Sequence, residues 1–434
     1  MNILLIGSGG REHALAWKLA SSPSCDTLYA AHGNPGTAHH AILVAMDGSD
    51  HAAVRAFCQR FNIGLVIVGP EGPLVAGLAD VLRDAGIAVF GPSKAAAQLE
   101  GSKGFTKTLC AAHAIPTARY EHFSTKAEAL AGLADFSAPY VIKADGLAAG
   151  KGVIIAETLD AAHTALDDMF GGGFGDAGAS VIVEDYMEGE EVSFFALSDG
   201  KNVVPFGSAQ DHKRVFEGDT GPNTGGMGAY SPATVLTPTL EARVMAEIIE
   251  PTVRALRDAG TPYVGILFAG LMLCADGPEL IEYNCRFGDP EAQVLMMRYR
   301  GDLAALLLGV AEGRLGDMPL PQFSADTALT VVMAAHGYPA HPATGGAINL
   351  PKSIPESKDD SQDVRIFHSG TGVWEGQMIA DGGRVLSVTA RGATVREAQA
   401  RAYAAIERID FASGFFRRDI GWRAVAREAS ALAI

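Results

Sequence analysis

The chain has 434 residues, a length that predicts two to four domains rather than a single core. Hydrophobic residues make up 48% of the sequence and charged residues 19%, as in ordinary globular proteins. The formal net charge of −16 argues against a nucleic acid or an anionic membrane as partner, although a local site on an acidic protein can still bind anionic substrates.

No apolar run approaches the roughly 18–20 residues of a membrane-spanning helix, and the start of the chain predicts a β-strand rather than a signal peptide. The five cysteines have neither the spacing of a zinc site nor that of a disulfide framework. We therefore expect a cytoplasmic protein without a membrane partner. Nothing in the sequence requires an oligomer, so a monomer is predicted.

Residues 1–120 alternate short apolar runs with helical patterns, which predicts an N-terminal doubly wound parallel sheet. The predicted strands are Ile3–Ile6, Leu28–Ala31, Leu65–Val68 and Ala88–Phe90. A cluster of glycine and proline follows each strand, at the carboxyl edge where sheets of this kind bind ligands.

The turn after the first strand opens a helix and is suited to binding an anion through backbone N–H groups. Arg11 adds a charge-assisted donor, so we predict a phosphate near Gly9, Gly10 and Arg11. A tight turn that packs the helix on the strand is the alternative. NAD is disfavoured, because Glu12 occupies the sixth position of the dinucleotide fingerprint and no acid follows the second strand.

Residues 121–188 form a second, smaller α/β segment in which Lys143 ends a strand and a glycine-rich turn follows, through Gly150 and Lys151. Small residues allow main-chain N–H groups to close over the oxygens of a triphosphate. The turn lacks the Ser or Thr of a P-loop, and an ordinary glycine–lysine hairpin is the alternative.

Glu184 ends a later strand, and Met187 lies in the linker beyond it. The backbone of such a linker offers donors and acceptors for adenine, and the carboxylate of Glu191 is suited to the hydroxyls of a ribose. A solvated acidic turn is the plainer explanation of these residues taken alone.

Residues 189–322 contain a strand in which Glu282, Asn284 and Arg286 alternate onto one face. Glutamate and asparagine supply hard oxygen ligands for magnesium, and arginine binds phosphate oxygens bidentately. Cys285 points to the other face, which predicts a core residue rather than a nucleophile. A structural ion pair is the alternative for the polar face.

We expect residues 208–232 to form a long loop, rich in Gly, Asp, Asn and Thr, that closes over a substrate and carries Asp211 and Lys213. An exposed, solvated loop is the alternative.

From residue 323 onward, three strand signals and one long helical pattern predict a β-rich segment. These are Ala328–Ala334, Val364–His368, Val385–Ala390 and Thr394–Arg408.

Taken together, these motifs resemble the ATP-grasp superfamily and, within it, the glycinamide ribonucleotide synthetase family over nearly the whole chain. The motifs that carry the resemblance are Gly-Gly-Arg-Glu-His at 9–13, Gly-Pro-Glu-Gly-Pro-Leu at 69–74, Gln-Leu-Glu-Gly-Ser-Lys at 98–103, Lys143–Gly152, Gln210–Arg214, Thr220–Pro232 and Asn284–Glu291. The run Arg-Phe-Gly-Asp-Pro-Glu at 286–291 is very specific to this family and its near relatives.

The resemblance implies an α/β and α+β fold of four parts. An N-terminal doubly wound, substrate-binding domain would span 1–120, an ATP-grasp lid 121–188, an ATP-grasp core 189–322 and a β-rich C-terminal domain 323–434. ATP would lie between lid and core, and the C-terminal domain would close the substrate side.

The resemblance also implies a ligase of de novo purine biosynthesis that joins glycine to 5-phosphoribosylamine. ATP would be the phosphoryl donor and Mg²⁺ (or Mn²⁺) the metal. Glycine would be activated as glycyl phosphate, and the products would be glycinamide ribonucleotide, ADP and phosphate. The partners are then small molecules, with no nucleic acid.

The resemblance implies a role for each matching residue. For ATP these are Lys103, Lys143, Gly150, Lys151, Glu184, Met187 and Glu191; for the metal, Glu282 and Asn284; for catalysis, Arg286, Asp289 and Lys213; for the substrates, Gly9, Gly10, Arg11, Asn34, Gly36, Thr37, Pro70, Glu71 and Asp211. One position departs from the superfamily. Gly270 stands where many members carry a second metal carboxylate, so Asp211 is a candidate to replace it.

Two other functions stay open at this point. A different ATP-grasp ligase would use another acid and amine, and ADP release with a panel of acids would distinguish it. A non-catalytic nucleotide-binding regulator would not need Glu282, Asn284 and Arg286 on one strand face, so their presence favours chemistry.

Overall fold

The structure of the protein is a computed structural model. It describes residues 1–147, 152–173, 175–352, 354 and 363–431. The predicted turn residues Gly150 and Lys151 lie outside the described residues. No helix in the described ranges has the length and apolar character needed to cross a membrane.

The N-terminal sheet is parallel, as predicted. Its strands are β1 (Asn2–Gly7), β2 (Thr27–His32), β3 (Ile42–Val44), β4 (Ile63–Val68) and β5 (Val89–Phe90). They lie in the order β3-β2-β1-β4-β5. The connecting helices are α1 (Gly10–Ala20), α2 (His51–Arg60), α3 (Glu71–Ala76) and α4 (Leu78–Asp84).

Both faces of this sheet are covered. Leu4 and Ile6 of β1 pack into one hydrophobic cluster, whereas Ile3 and Leu5 pack into another. Burial on both faces explains why the strands are continuous apolar runs. The sequence analysis missed β3, because this edge strand has three residues and two of them are exposed.

A second, small sheet is antiparallel. Two helices, α5 (Gln98–Gly101) and α6 (Lys103–His113), lead from the N-terminal sheet to it. Its strands are β6 (Tyr120–Phe123), β7 (Tyr140–Ala144), β8 (Val153–Ala156) and β9 (Val181–Asp185), in the order β6-β9-β7-β8. Helices α7 (Lys126–Gly132) and α8 (Leu159–Asp168) pack on it.

The rest of the chain builds a large sheet and three separate two-stranded sheets. The strands up to residue 323 are β10 (Glu190–Asp199), β11 (Val203–Asp211), β12 (Arg214–Phe216), β13 (Thr220–Asn223), β14 (Gly228–Ser231), β15 (Val264–Cys274), β16 (Gly277–Asn284), β17 (Tyr299–Arg300) and β18 (Gln322–Phe323). The helices among them are α9 (Pro238–Val244), α10 (Glu250–Asp258), α11 (Glu291–Arg298) and α12 (Leu303–Ala311).

The last strands are β19 (Thr327–Ala335), β20 (Val364–His368), β21 (Thr371–Trp374), β22 (Gln377–Ala380), β23 (Arg384–Gly392) and β24 (Gly414–Phe415), with helices α13 (Val395–Ile406) and α14 (Trp422–Ala431). The large sheet runs in the order β16-β15-β10-β11-β14-β19-β23-β20, and β24 pairs with β19. Because β14 pairs with β19, one sheet continues from the segment predicted as core into the segment predicted as C-terminal domain.

The expectation of one long loop at 208–232 is wrong. Strand β11 continues to Asp211, β12 and β13 form a hairpin, and β14 pairs with both β11 and β19. Strand pairing here rests on backbone hydrogen bonds and needs no apolar run. A Cβ added at Gly228 would lie 2.6 Å from the carbonyl oxygen of Thr330, so this glycine permits close strand approach.

Helix α11 joins the N-terminal half to the large sheet. All eight of its residues are buried, and it packs against α1 and against β11, β14, β19 and β23. A helix that is covered on all sides in this way is held by packing rather than by its own propensity. Asp289 and Glu291, at its N-terminal end, are thereby fixed in position.

A hydrogen bond also ties the C-terminal segment to the end of β11. Gly421 N donates to His212 Nε2 at 3.0 Å. Burial, and then the charge of Arg417, lower the pKa of His212 from 6.5 to about 4. The unfolded chain therefore binds this proton more tightly than the folded protein. The stability contributed by neutral His212 is present above pH 6.5 and is lost as the pH falls towards 4.

We expect His212→Gln to flatten the pH dependence of the free energy of unfolding, because glutamine accepts the same hydrogen bond without titrating. Relative to the wild type, the variant should gain on the order of 3 kcal/mol between pH 6.5 and pH 4, the free energy of a shift from 6.5 to about 4. Urea denaturation at several pH values measures this difference. Parallel pH profiles of the two proteins would contradict it.

Candidate active site

A cleft with a volume of about 810 Å³ lies where the N-terminal sheet, the small sheet and the large sheet meet. The predicted site residues that line it are Arg11, Glu71, Lys103, Lys143, Glu184, Met187, Glu191, Asp211, Lys213, Glu282, Asn284, Arg286 and Asp289. Residues from all the predicted parts of the chain up to position 289 therefore converge on one cavity.

The end of β16 presents the polar face that the sequence predicts. Glu282 and Asn284 are among its last residues and Arg286 follows, and all three line the cleft. Tyr283 and Cys285, between them, belong to the hydrophobic core. The prediction that Cys285 is a core residue is therefore confirmed, and burial raises the pKa of its thiol well above the ordinary value.

Glu282 is half-buried and remains ionised. Burial alone would raise its pKa, but four cationic side chains lower the pKa below its ordinary value. They are Lys213, Lys143, Lys103 and Arg286, in decreasing order of effect. These cations come from four different parts of the chain, and together they favour a polyanionic ligand beside this carboxylate.

Glu184 is buried between two lysines. Its Oε1 lies 3.1 Å from Lys107 Nζ, and its Oε2 lies 2.9 Å from Lys143 Nζ. Lys107 also donates to Thr117 Oγ1 at 2.7 Å, and Lys143 donates to the carbonyl of Ile281 at 3.2 Å. Two lysines and one glutamate leave one positive charge in excess. Glu184 is 1% exposed, so the alternative of a solvated acidic turn is wrong for this residue.

Lys213 Nζ donates to the carboxylate of Glu191. Burial opposes the charge of Lys213, but Glu191, Glu282 and Asp211 outweigh it and raise the pKa of Lys213 above its ordinary value. The pKa of Asp211 is also raised, by burial and by the neighbouring carboxylate of Glu291. For an aspartate this shift favours the neutral form, whereas for Lys213 it favours the charged form. Within the described structure, the buried Asp211 Oδ1 has no hydrogen-bond partner.

Arg286 has three partners within the protein. Its Nε lies 3.2 Å from Glu71 Oε2, its Nη2 lies 3.0 Å from Glu100 Oε1, and its Nη1 donates to the carbonyl of Phe287 at 3.3 Å. The other oxygen of Glu100 accepts a hydrogen bond from Cys285 N at 2.7 Å. Burial opposes the charge of Arg286, but Glu100 and Glu71 raise its pKa.

The helix start at Gly9–Arg11 binds carboxylates of the protein itself. Gly9 N donates to Glu12 Oε2 at 2.7 Å, and Arg11 N donates to Asp289 Oδ2 at 3.3 Å. The Arg11 side chain pairs with Glu12 at 2.6 Å and donates to the carbonyl of Phe287 at 3.0 Å. In this conformation internal carboxylates occupy the predicted phosphate site.

The other predicted substrate residues do not line the cleft. These are Gly9, Gly10, Asn34, Gly36, Thr37 and Pro70. Asn34 Nδ2 donates to the carbonyls of Ser8 and His368, both at 2.8 Å. A Cβ added at Gly10 would lie 2.5 Å from Ser369 Oγ. The turn after β20 therefore covers this part of the N-terminal sheet edge.

The sequence analysis gave no role to several cleft residues, among them Lys107, Glu100 and Arg384. Lys107 lies one helical turn after Lys103, so the spacing of these lysines was a usable signal. Glu100 belongs to a motif that was noted but was given no role. Arg384 approaches the Asp289 carboxylate at 3.5 Å and donates to the carbonyl of Gly225. No sequence signal pointed to Arg384, because its partners are distant in the chain.

The residues at the end of β16 fit a magnesium ion. An ionised glutamate and an asparagine amide oxygen are ligands that Mg²⁺ prefers. In the part of the chain that the structure describes, no three carboxylate, imidazole or thiol groups converge as a self-sufficient metal site. Magnesium commonly completes a shell of this kind with substrate phosphates and water. Gly270 lies directly opposite Glu282 on β15 and adds no side-chain ligand.

Comparison with known proteins identifies the family. Three family models match the chain: phosphoribosylglycinamide synthetase N domain at residues 1–100, ATP-grasp (A) domain at 101–292 and C domain at 328–423. A phosphoribosylamine–glycine ligase of Mesorhizobium japonicum is 61% identical over 428 residues, covering 99% of both chains. One of Haemophilus influenzae is 51% identical over 433 residues, again covering 99% of both chains.

Solved structures agree with this assignment. The crystal structure of phosphoribosylamine–glycine ligase from Thermotoga maritima matches with a TM-score of 0.84 and 32% identity, covering 97% of this chain and 100% of that one. A biotin carboxylase from Campylobacter jejuni shares the fold alone, with a TM-score of 0.71 and 15% identity over 96% of this chain and 93% of that one. The chain therefore belongs to the phosphoribosylglycinamide synthetase family of ATP-grasp ligases.

Proposed function

We propose that this enzyme joins glycine to 5-phosphoribosylamine at the expense of ATP, giving glycinamide ribonucleotide, ADP and phosphate in de novo purine biosynthesis. Its relatives named phosphoribosylamine–glycine ligase align with it over nearly their whole length. One structural observation carries the proposal: Glu282, Asn284 and Arg286 line the same cleft as Lys103, Lys143 and Lys213. A nucleotide-binding regulator would not need this convergence of a carboxylate, an amide and four cations.

The reaction has two chemical steps. In the first, a carboxylate oxygen of glycine attacks the γ-phosphorus of ATP, the bond to the β,γ-bridging oxygen breaks, and glycyl phosphate and ADP form. In the second, the amine of phosphoribosylamine attacks the acyl carbon, the bond to the phosphate oxygen breaks, and the nitrogen loses a proton. The substrates supply both nucleophiles, so the protein contributes positioning and charge neutralisation.

The ATP site is supported by the distribution of charge and apolar surface. Lys103 and Lys143 bind phosphate oxygens, and Lys213 and Arg286 neutralise the transferred phosphoryl group. The carboxylate of Glu184 holds Lys143 in place, while the linker near Met187 contacts adenine and Glu191 binds the ribose. Apolar lining residues that suit a base are Val141, Ile155, Met187, Phe268 and Met272.

Glu282 and Asn284 hold the divalent metal, Mg²⁺ or Mn²⁺, which neutralises phosphate charge and orients the phosphates when it is bound. Asp289, which Arg11, Gln293 and Arg384 hold in place, positions glycine or Arg286. Asp211, which lines the cleft, contacts a substrate.

The amine substrate lies on the N-terminal side of the cleft, near Glu71 and Arg11. Its binding surface forms once the turn after β20 moves away, and it consists of Gly9, Gly10, Asn34, Gly36, Thr37 and Pro70.

The enzyme acts as a cytoplasmic monomer on small molecules alone. Analytical ultracentrifugation tests the monomer, and a stable dimer would contradict it.

The experiment that tests the function measures ADP formation with Mg²⁺ and ATP while glycine or phosphoribosylamine is omitted in turn. The amine is unstable and is made in place from ribose 5-phosphate and ammonia. We expect product formation that requires both substrates and equals the ADP released. ADP formed with a different acid, and none with glycine, would favour another ATP-grasp ligase.

We expect Arg286→Ala to lower turnover by roughly a hundredfold or more, because removing one charge-stabilising donor typically costs about 2–4 kcal/mol of barrier. The steady-state rate of product formation measures this. Arg257→Ala, at an exposed arginine on α10 that pairs with Asp258, is the matched control and should have near-normal turnover. Equal rates in both variants would exclude the role of Arg286.

We expect Lys107→Met to raise the Michaelis constant for ATP by about tenfold, with a smaller change in turnover. Glu184 would then pair with Lys143 alone and cancel the charge that Lys143 offers to phosphate, a loss on the order of 1.4 kcal/mol of binding. Lys126→Met, at an exposed lysine of the small sheet segment that pairs with Asp167, is the control. An unchanged Michaelis constant with normal stability would contradict the prediction.

A further inference from the structure

We propose that Glu71 is a coupling residue, which keeps Arg286 paired until the amine substrate arrives and so prevents ATP from being consumed by glycine alone. The inference rests on the proposed function and adds a regulatory step to it. Glu71 acts through Arg286 and is therefore a positioning residue rather than a catalytic one.

The first observation is the pairing of one edge of the Arg286 guanidinium. Its Nε and Nη2, which form one edge of the planar group, contact Glu71 at 3.2 Å and Glu100 at 3.0 Å. Its Nη1 donates to the carbonyl of Phe287 at 3.3 Å. Bidentate binding of a phosphate needs two parallel N–H groups on one edge. One carboxylate therefore has to leave before Arg286 can take the phosphoryl group on that edge.

The second observation is the difference between the two carboxylates. The Glu100 side chain is 9% exposed, and its second oxygen accepts a hydrogen bond from Cys285 N at 2.7 Å, which anchors it to the backbone beside Arg286. The Glu71 side chain is 28% exposed. Glu71 is the first residue of α3 and lies at the carboxyl edge of the N-terminal sheet. Glu71 is therefore the partner that can be released.

The third observation is the position of Glu71 in the cleft. It lines the same cavity as Arg11, on the side that the N-terminal sheet contributes. Burial would raise the pKa of Glu71, but Arg286 and Arg11 lower it, so the carboxylate is ionised at neutral pH. An ionised carboxylate here can accept hydrogen bonds from the amine and the hydroxyls of a glycosylamine.

Charge balance makes the release of Arg286 from Glu71 dependent on binding of the amine substrate. Without the amine, release of Arg286 would leave Glu71 partly buried with one cationic partner fewer, which is unfavourable. With the amine bound, Glu71 exchanges Arg286 for the donors of the substrate, and Arg286 exchanges Glu71 for a phosphate oxygen. Glu71 and Arg286 both keep their full number of partners only if both exchanges occur, so amine binding licenses phosphoryl transfer.

The test compares glycine-dependent ADP formation without the amine in the wild type and in Glu71→Gln. Glutamine keeps the size of the side chain and removes its charge. We expect amine-free ADP formation to rise by about fivefold, the factor expected for one partly exposed ion pair. Loss of folding cannot produce this gain. Asp84→Asn, which removes an exposed charge at the end of α4, is the control and should leave the rate unchanged.

A second arm shows whether the effect acts through Arg286. In the double variant Glu71→Gln/Arg286→Ala, amine-free ADP formation should fall to the level of Arg286→Ala alone, because the released group is missing. If the double variant kept the fivefold gain, Glu71 would act on some other group and the proposal would be overturned.

A third arm uses the wild-type enzyme and ribose 5-phosphate, which resembles the amine substrate but lacks the amine. In the absence of ammonia it should stimulate glycine-dependent ADP formation in the wild type and have no further effect on Glu71→Gln. The acyl phosphate formed would be hydrolysed, so ADP would accumulate without product. Ribose 5-phosphate that binds the wild type in a calorimetric titration but does not stimulate ADP formation would refute the coupling.

The complete reaction separates this proposal from the proposed function. If the wild type makes glycinamide ribonucleotide from both substrates, and Glu71→Gln shows no gain in amine-free ADP formation, the coupling role fails while the ligase function stands. If the wild type makes no product from both substrates, the proposed function fails first.

Discussion

The site depends on one electrostatic constraint: cationic side chains in a semi-enclosed cleft need anionic partners even when no ligand is bound. The structure satisfies them internally, with Lys143 on Glu184, Lys213 on Glu191 and Arg286 on Glu71 and Glu100. A buried or half-buried charge without a partner costs several kcal/mol, so these pairs hold the cleft together before any ligand enters. Nucleotide binding is then an exchange of partners.

The same constraint explains why the domains are joined so extensively. Glu71 and Glu100, from the N-terminal part of the chain, pair with Arg286 beyond β16, and Glu184 of the small sheet pairs with Lys107 of α6. The large sheet continues through β14 and β19, and α11 packs between the N-terminal half and that sheet. These contacts fix the end of β16 relative to the N-terminal sheet, which is what positioning of two substrates against one phosphoryl group requires.

The sequence predicted the parts of this arrangement that depend on local pattern. The apolar runs of β1 and β4 and the alternation of Glu282, Asn284 and Arg286 each follow from a periodicity that is visible in the chain. The hairpin of β12 and β13 was predicted as loop, because backbone pairing of polar, glycine-rich strands leaves no apolar signal. The contact of Arg384 with Asp289 could not be predicted from the sequence either, since it depends on strand pairing between segments that are distant in the chain.

The N-terminal turn shows why a motif alone does not settle which anion it binds. The backbone of Gly9 and Arg11 is suited to a phosphate, yet it contacts Glu12 and Asp289 here. Lys103 differs from the other cations of the cleft, because its described contacts are the carbonyls of Ala144 and Gly146, each at 3.1 Å. A phosphate oxygen that replaces a carbonyl on Lys103 breaks no ion pair. Lys103 is therefore the cation at which exchange of partners costs least, and it is where nucleotide binding can begin.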